Sequence, residues 1–256
     1  EIPKRDWSSD VCSSDLLSRM ILYVNGCSHT AAAEAVVPDC FAVDDGRAGI
    51  DRRPHPANLA ASYATLIAQE LDATLVCDAQ SGGSNPRIIR TTQKWIADNQ
   101  DKLHDTVIVI QWTTWEREEW LHKATWYQVN ASGVDWVPEE LQQRYKEYIV
   151  SVDWDIKTKQ AHQAAWELHQ QLLSKKIRHL FFSGHSTFSD IQNRLDWGRY
   201  YMDPYIRENS YHNWLIQNGG TYANPQSYHF DARSHRLWAK HVLQYIHTNQ
   251  ILNPVE

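Results

Sequence analysis

One serine and two histidines could supply the nucleophile and the base of an acyl-transfer reaction. Ser28 follows a short apolar segment, residues 21–24, and His229 and His235 lie near the other end of the chain. A serine hydroxyl is a weak nucleophile that needs a positioned base before it can attack a carbonyl carbon. Asp231, between the two histidines, could orient either imidazole. These residues predict a Ser–His site in which either histidine could be the base.

Each of these residues also has a purely structural interpretation. A serine at a strand-to-helix turn, where Ser28 is expected, often only caps the helix. His235 falls in the first turn of the last predicted helix, where a histidine is commonly part of the helix start. An acid such as Asp231 is favoured near that helix start by the helix dipole. The chemical interpretation therefore needs further groups at the same place.

A second loop carries groups that could stabilise an oxyanion. Gly82, Gly83 and Asn85 follow the second predicted strand. Glycines allow a backbone N–H to approach a ligand closely, and a side-chain amide is the other common donor. The alternative is a plain turn in which Asn85, held extended by the proline after it, bonds locally. After the third strand, Thr113 is a further candidate donor and Arg117 could hold an anion.

Alternating strands and helices are expected to position these residues. Apolar, strand-like runs occur at 20–24, 74–77, 106–112 and 178–183, and helical patterns at 58–71, 88–99, 138–148, 157–176 and 234–250. Such alternation predicts βαβ units, a parallel sheet and right-handed crossovers. Sites on such sheets lie in the crevice at the carboxyl ends of the strands. We therefore predict a three-layer α/β/α sandwich with a flavodoxin-like parallel sheet.

Composition indicates a globular protein and argues against several classes of partner. The 256-residue chain is 42% hydrophobic and 22% charged, with a net charge of −6 and no Lys/Arg-rich run. We therefore predict no nucleic-acid partner, and the short apolar runs predict no membrane partner. The cysteines show no CxxC spacing and the histidines no HExxH motif, so we predict neither a metal nor a cofactor. Without a signal-peptide pattern, we expect a cytoplasmic or virion-associated protein.

Residues 1–19 differ from the rest of the chain. They lack helical or strand periodicity, and residues 5–16 resemble the translation of a sequencing-adapter oligonucleotide. We interpret 1–19 as a non-native leader and 20–256 as a single α/β domain. An aromatic segment near 116–140 predicts an inserted hairpin or lid. Residues 190–227 form a long stretch without periodicity, which is typical of functional loops.

The motifs resemble those of SGNH (GDSL-type) hydrolases, in particular small SGNH-like proteins of phage and environmental genomes. Residues 25–30, 82–90 and 229–239 carry the resemblance, which extends over 20–250. It implies an SGNH-like fold with Ser28 as the nucleophile. It further implies an oxyanion hole formed by the Ser28 N–H, the N–H of Gly82 or Gly83, and Asn85. His229 takes the position of the family's base, and His235 takes the later position in that block.

Three positions depart from the family pattern. Cys27 replaces an aspartate before the serine, residues 111–117 lack the expected Gly-x-Asn-Asp, and Gln226 replaces the aspartate three residues before the histidine. The missing asparagine removes one oxyanion donor unless Asn85 or Thr113 substitutes for it. Loss of one such donor costs about 3–4 kcal/mol of transition-state stabilisation. The remaining arrangement is a Ser–His dyad, or one in which Asp231 orients the base.

Two functions follow from the resemblance. The first is a serine hydrolase that cleaves an ester of a small molecule or glycan, with an O-acetyl group on a carbohydrate as the specific candidate. Tryptophans clustered near the predicted lid suggest the carbohydrate, although apolar packing of the insertion is the more common reason for such a cluster. The alternative is a catalytically silent SGNH-like module that binds glycans or belongs to a virion.

Overall fold

The computed structural model describes residues 19–43, 52–131, 133–134 and 137–255. The leader predicted at 1–19 therefore lies outside the described residues, apart from Arg19. Within the described ranges, no helix is both long and apolar enough to cross a membrane.

A five-stranded parallel sheet forms the centre of the molecule, in the order β2-β1-β3-β6-β7. Its strands are β1 (Ile21–Asn25), β2 (Thr74–Cys77), β3 (Thr106–Trp112), β6 (Arg178–Ser183) and β7 (Tyr201–Met202). This is the flavodoxin-like order, in which the chain reverses direction across the sheet between β1 and β3. The predicted fold class is confirmed.

Helices cover both faces of this sheet. The helices are α1 (Pro56–Ala60), α2 (Tyr63–Glu70), α3 (Asn85–Asp98), α4 (Glu139–Ser151), α5 (Trp154–Ser174), α6 (Tyr211–Gln217) and α7 (Ala232–Thr248), of which α4 packs in a separate small apolar cluster rather than on the sheet. Short 3₁₀ helices span Gln100–Asp105 and Arg207–Asn209. Two small antiparallel pairs complete the structure: β4 (Glu118–His122) with β5 (Thr125–Val129), and β8 (Tyr222–Asn224) with β9 (His229–Phe230).

The three layers follow from alternation along each buried strand. In β3, Val107 and Val109 point toward α2 and α7, whereas Ile108 and Ile110 point toward α3 and α5. Successive side chains of a strand face opposite sides, so in a strand covered on both faces both rows of side chains are buried and most are apolar. This explains why every residue of β3 is buried.

Several boundaries differ from the predicted ones because of side-chain caps. The single helix predicted over 58–71 is two helices, since Ser62 accepts a hydrogen bond from the Thr65 N–H and starts α2 anew. Helix α3 begins earlier than predicted because Ser84 caps it and a proline follows in its first turn. Strands β2, β3 and β6 have their predicted bounds.

The segment after β3 forms a hairpin that packs beside α3. Strands β4 and β5 are joined at Lys123 and Ala124, both with positive φ. Arg90 of α3 binds Glu119 of β4 through two hydrogen bonds of 2.7 Å each. A small apolar cluster beneath the hairpin consists of Trp120, Val129, Val137 and Tyr145.

Candidate functional site

Ser28 lies just past the carboxyl end of β1, at the predicted edge of the sheet. It is 6% exposed, and its carbonyl accepts the Ala33 N–H at 2.9 Å. No helix follows: residues 28–34 form consecutive turns, in which Ala32 and Glu34 have φ of 53° and 63°. The strand-to-helix turn predicted here was therefore wrong, because left-handed residues interrupt any helix. The Ser28 hydroxyl caps nothing and forms no hydrogen bond with the described residues.

Gly26 permits this tight turn. A Cβ at Gly26 would lie 2.0 Å from Thr30 Oγ1 and 3.2 Å from the Gln111 carbonyl of β3. The Gly26 carbonyl accepts the Gln80 N–H at 3.2 Å, which ties the serine loop to the loop after β2. The two predicted loops therefore do meet at one edge of the sheet.

His229, in β9, contacts a carboxylate that its neighbours in sequence do not predict. Its Nδ1 is hydrogen-bonded to Glu34 Oε2. The Glu34 carboxylate also accepts hydrogen bonds from Ser227 Oγ and, at 2.7 Å, from Asn224 Nδ2. Because the carboxylate holds the proton on Nδ1, Nε2 is the unprotonated nitrogen of neutral His229. Nε2 forms no hydrogen bond with a described residue.

Burial and hydrogen bonding set the ionisation of this pair. Burial alone would raise the pKa of Glu34, but hydrogen bonds from Ser227, Asn224 and His229 outweigh it and the pKa lies below its usual value. Burial lowers the pKa of His229, and contact with Glu34 only partly offsets that effect. At neutral pH the pair is therefore a carboxylate beside a neutral imidazole.

Four histidines from separate parts of the chain form a cluster next to Ser28. This histidine cluster comprises His29, His185, His212 and His229. The rings of His29 and His229 meet edge to face with centroids 5.3 Å apart, and His29 Nε2 lies 2.6 Å from His185 Nε2. His185 packs against His212 at 4.5 Å, and His212 Nε2 lies 2.8 Å from the Tyr222 hydroxyl. The ring of His29 thus connects the serine loop to the loop of His229.

The cluster is uncharged at neutral pH. Burial is the main cause that lowers the pKa of His29 well below its usual value and that of His185 to about 3. The neighbouring histidines lower both further. Because the close Nε2 atoms of His29 and His185 need one proton between them, one ring is the donor and the other the acceptor. Among the described residues, no group of three or more His, Cys, Asp or Glu side chains is arranged to hold a metal ion.

His235 and Asp231 lie at the start of α7 and are occupied elsewhere. Nδ1 of His235 accepts the Tyr63 N–H at 3.3 Å, and its ring stacks on that of Tyr63. Burial lowers the pKa of His235 to about 3. Asp231 is the N-cap of α7: it accepts the Ser234 N–H and hydroxyl, each at 2.8 Å, and the Thr221 hydroxyl. The acid in contact with His229 is therefore Glu34 rather than Asp231.

Two of the four predicted oxyanion residues use their donors in other contacts. The Gly83 N–H donates to the Gln80 carbonyl at 2.9 Å. Asn85 Oδ1 accepts the Thr113 N–H at 2.9 Å, and Asn85 Nδ2 donates to the Thr113 carbonyl at 3.2 Å. Asn85 thus clamps the end of β3 to the start of α3.

The other two predicted residues retain free groups. Gly82 has a φ of +79°, and a Cβ there would lie 2.2 Å from Gln128 Oε1 of the hairpin. The N–H groups of Gly82 and Ser28 donate to no residue in the described ranges. The Thr113 hydroxyl is buried, also without a hydrogen-bond partner there. These groups remain as candidate donors.

Comparisons with known proteins give only distant structural likenesses. No protein-family model matches the sequence, and no curated protein matches it. One similar solved structure is a carbohydrate esterase whose active site displays divergent catalytic and non-catalytic binding functions. It is 15% identical to this chain with a TM-score of 0.42, and the match covers 91% of this chain and 70% of the esterase chain. Another is the acetyl xylan esterase Est2A from the rumen bacterium Butyrivibrio proteoclasticus.

The second likeness has 13% identity and a TM-score of 0.44, over 90% of this chain and 64% of the other, slightly less than two thirds of its length. Likenesses this distant say nothing about activity. What this protein does must follow from its own residues.

Proposed function

We propose that this protein is a serine hydrolase of the SGNH type that cleaves an ester. The observation that carries the proposal is the hydrogen bond between His229 Nδ1 and Glu34, formed beside the Ser28 loop. A carboxylate on Nδ1 holds the imidazole in the tautomer whose Nε2 can accept a proton. Glu34 supplies the orienting acid that Gln226 cannot.

The reaction then has two steps. Ser28 Oγ attacks the acyl carbon while His229 Nε2 takes the hydroxyl proton, and Glu34 stabilises the resulting imidazolium. The N–H groups of Ser28 and Gly82 stabilise the oxyanion. The ester bond breaks as His229 returns the proton to the leaving alcohol. Water, deprotonated by His229, next attacks the acyl-serine, and the proton returns to Ser28 as the acid is released.

The specific substrate we propose is an O-acetyl ester on a carbohydrate. Trp112 and Trp115 line a cavity of about 140 Å³ that also borders Asn85. Both rings are buried, so the cavity that they line suits a small acyl group rather than the stacking of a whole sugar ring. The cavity is small, which favours a short acyl group or a single ring substituent over a long acyl chain.

A serine-directed fluorophosphonate tests the proposal. We expect a covalent adduct on Ser28, located by mass spectrometry, that is lost in Ser28→Ala and retained in Ser174→Ala, which changes an exposed serine of α5. Hydrolysis of 4-nitrophenyl acetate should be lost in the same pattern. If folded protein forms no adduct, and Ser28→Ala hydrolyses 4-nitrophenyl acetate as fast as the wild type, the proposed serine hydrolase is refuted.

One set of observations favours the silent binding module instead. Ser28 Oγ forms no hydrogen bond with His229, and the Asn85 amide and Gly83 N–H are engaged elsewhere. Catalytic hydrogen bonds often shorten only once substrate is bound, so this geometry is compatible with activity. Glycan binding without turnover of acetylated sugars or aryl esters would establish the module.

A further inference from the structure

Arg117 is a partly buried cation, and two of its three guanidinium nitrogens have no hydrogen-bond partner among the described residues. Its side chain is 21% exposed, and its Nε and Nη1 atoms are buried without a hydrogen-bond acceptor in the described part of the chain. A guanidinium has five N–H donors, and leaving them unpaired in a buried place costs free energy. A group that accepts hydrogen bonds from this guanidinium would therefore be stabilised by it.

Glu116, the residue before Arg117, does not satisfy its guanidinium. Its Oε1 lies 4.0 Å from Arg117 Nε, too far for a hydrogen bond, and instead accepts the Thr114 hydroxyl at 2.9 Å. Glu116 Oε2 is itself buried without a partner among the residues described. The contact is thus a long ion pair that leaves the fork of the guanidinium open.

Arg117 lines a cavity at the carboxyl end of β3. The same cavity is bordered by Asn85, Trp112 and Trp115, and by Lys157 and Glu118, which pair with each other. Since that pair cancels, Arg117 supplies the remaining positive charge of the lining. The loop that carries Arg117 begins at Thr113, which Asn85 holds against α3.

The charge of Arg117 is also felt at the histidine cluster. Burial is the main cause of the lowered pKa values of His29, His185 and His229, and the positive charge of Arg117 lowers each of them further. The guanidinium is therefore near enough to the proposed base, His229, to affect its pKa.

We propose that Arg117 binds a carboxylate carried by the substrate, so that the esters hydrolysed are those of acidic sugars. The planar fork of a guanidinium matches a carboxylate through two parallel hydrogen bonds. The carboxylate would bind end-on to Nη1 and Nη2, the edge of the guanidinium that does not face Glu116, whose Oε1 lies 4.0 Å from Nε. This inference rests on the proposed ester hydrolysis for its setting, but carboxylate binding can be measured without turnover.

Two matched sugars that carry no ester test the binding step. Methyl glucuronide and methyl glucoside differ by a carboxylate in place of a hydroxymethyl group. We expect the wild-type protein to bind the glucuronide about 10- to 100-fold more tightly, the range typical of a charged hydrogen-bonded pair. Arg117→Gln should remove the preference and Arg117→Lys should keep part of it. Arg236→Gln, the same charge change on an exposed residue of α7, should leave it intact.

Equal binding of the two sugars, failure of both to bind, or a preference that survives in Arg117→Gln would overturn the proposal. Circular dichroism of each variant establishes that it is folded, and Arg117→Lys keeps the charge if the glutamine variant does not fold. Hydrolysis is measured separately with 4-nitrophenyl acetate, which has no carboxylate. If no sample, wild type included, hydrolyses this ester, the proposed hydrolase is refuted and the carboxylate-binding result still stands. If hydrolysis is present but the glucuronide is not preferred, only the role of Arg117 is refuted.

Discussion

His229 and His235 flank Asp231 near the end of the chain, yet their surroundings differ. His229 precedes the cap of α7 and lies at the sheet edge, with Nδ1 on Glu34 and Nε2 without a partner among the described residues. His235 follows the cap and is buried against Tyr63, whose N–H it accepts. The cap residue thus divides a stretch of chain that faces the crevice from a helix turn that faces the core. Sequence proximity to a motif does not decide which histidine can act as a base.

Replacing His229 should mainly reduce activity, whereas replacing His235 should mainly reduce stability. We expect His229→Ala to lower kcat/KM for 4-nitrophenyl acetate by about 10²- to 10⁴-fold, the usual contribution of a general base, with little change in stability. His235→Ala should instead lower the free energy of unfolding by about 3–5 kcal/mol, as when a buried ring is deleted. Its activity at low temperature should stay within a few fold of wild type. Loss of activity in a stable, folded His235→Ala protein would reverse the assignment.

Glu34→Gln sharpens the comparison by removing only the charge next to His229. An amide can hold the imidazole in the wrong tautomer, so we expect kcat to fall about 100-fold or more with the fold preserved. Initial-rate kinetics and thermal unfolding check both parts. Asp231→Asn is the matched control, because it changes an acid that contacts the helix start and not His229. If both variants lost activity equally, Glu34 would have no special role.

The two histidines should also differ in what acid does to them. Both have folded-state pKa values below the usual 6.5, so acid protonates them only below that value. Protonation of His229 removes the base, and log kcat/KM should fall below an inflection under pH 6.5. In Glu34→Gln the carboxylate no longer raises the pKa of His229, so the inflection should move to still lower pH. An inflection above 6.5, or a shift upward in Glu34→Gln, would contradict this.

Acid should act through His235 on stability. The unfolded chain binds a proton near pH 6.5, whereas folded His235 does so only near pH 3. Stability conferred by neutral His235 is therefore complete above pH 6.5 and is lost progressively as pH falls toward 3, by up to about 1.4 kcal/mol per pH unit. His235→Phe should reduce this slope, which urea unfolding measures between about pH 4 and 6.5. An unchanged slope would show that His235 does not cause the acid sensitivity.

The smallest effect is expected from the cap itself. Asp231→Ala should lower the free energy of unfolding by about 0.5–2 kcal/mol, the usual cost of losing an N-cap. Because Asp231 contacts Ser234 and Thr221, kcat/KM should remain near the wild-type value. A large loss of activity without loss of stability would show that Asp231 acts on the base after all.

The fold could be predicted because its signals are local. The apolar runs of β2, β3 and β6 and their alternation with helices suffice to predict a parallel α/β sheet. The meeting of Ser28 with the loop after β2 follows from the same rule, since parallel strands end at one edge. The helix starts at Ser62 and Ser84 were harder to predict, because a serine can be recognised as a cap only once the chain is known to turn there.

Glu34 could not be predicted for a different reason. It lies in a run of turns with a left-handed backbone and meets His229 across 195 positions of sequence. No periodic pattern marks such a contact, and the nearer Asp231 offered a simpler candidate. Its one signal is an acid a few residues after Ser28 in the same loop. The engagement of Asn85 with Thr113 was equally hidden, because either partner alone looks like a free donor.

The hydrogen bonds of Glu34 have a consequence for how the protein is made. Asn224, Ser227 and His229 all belong to a late part of the chain, and all three bind one carboxylate near its beginning. A ribosome therefore exposes Ser28 long before it has synthesised the residues that would activate it. A nascent or prematurely terminated chain would carry Ser28 without the proposed base, so the proposed hydrolysis would require residues 224–229 to have docked on Glu34.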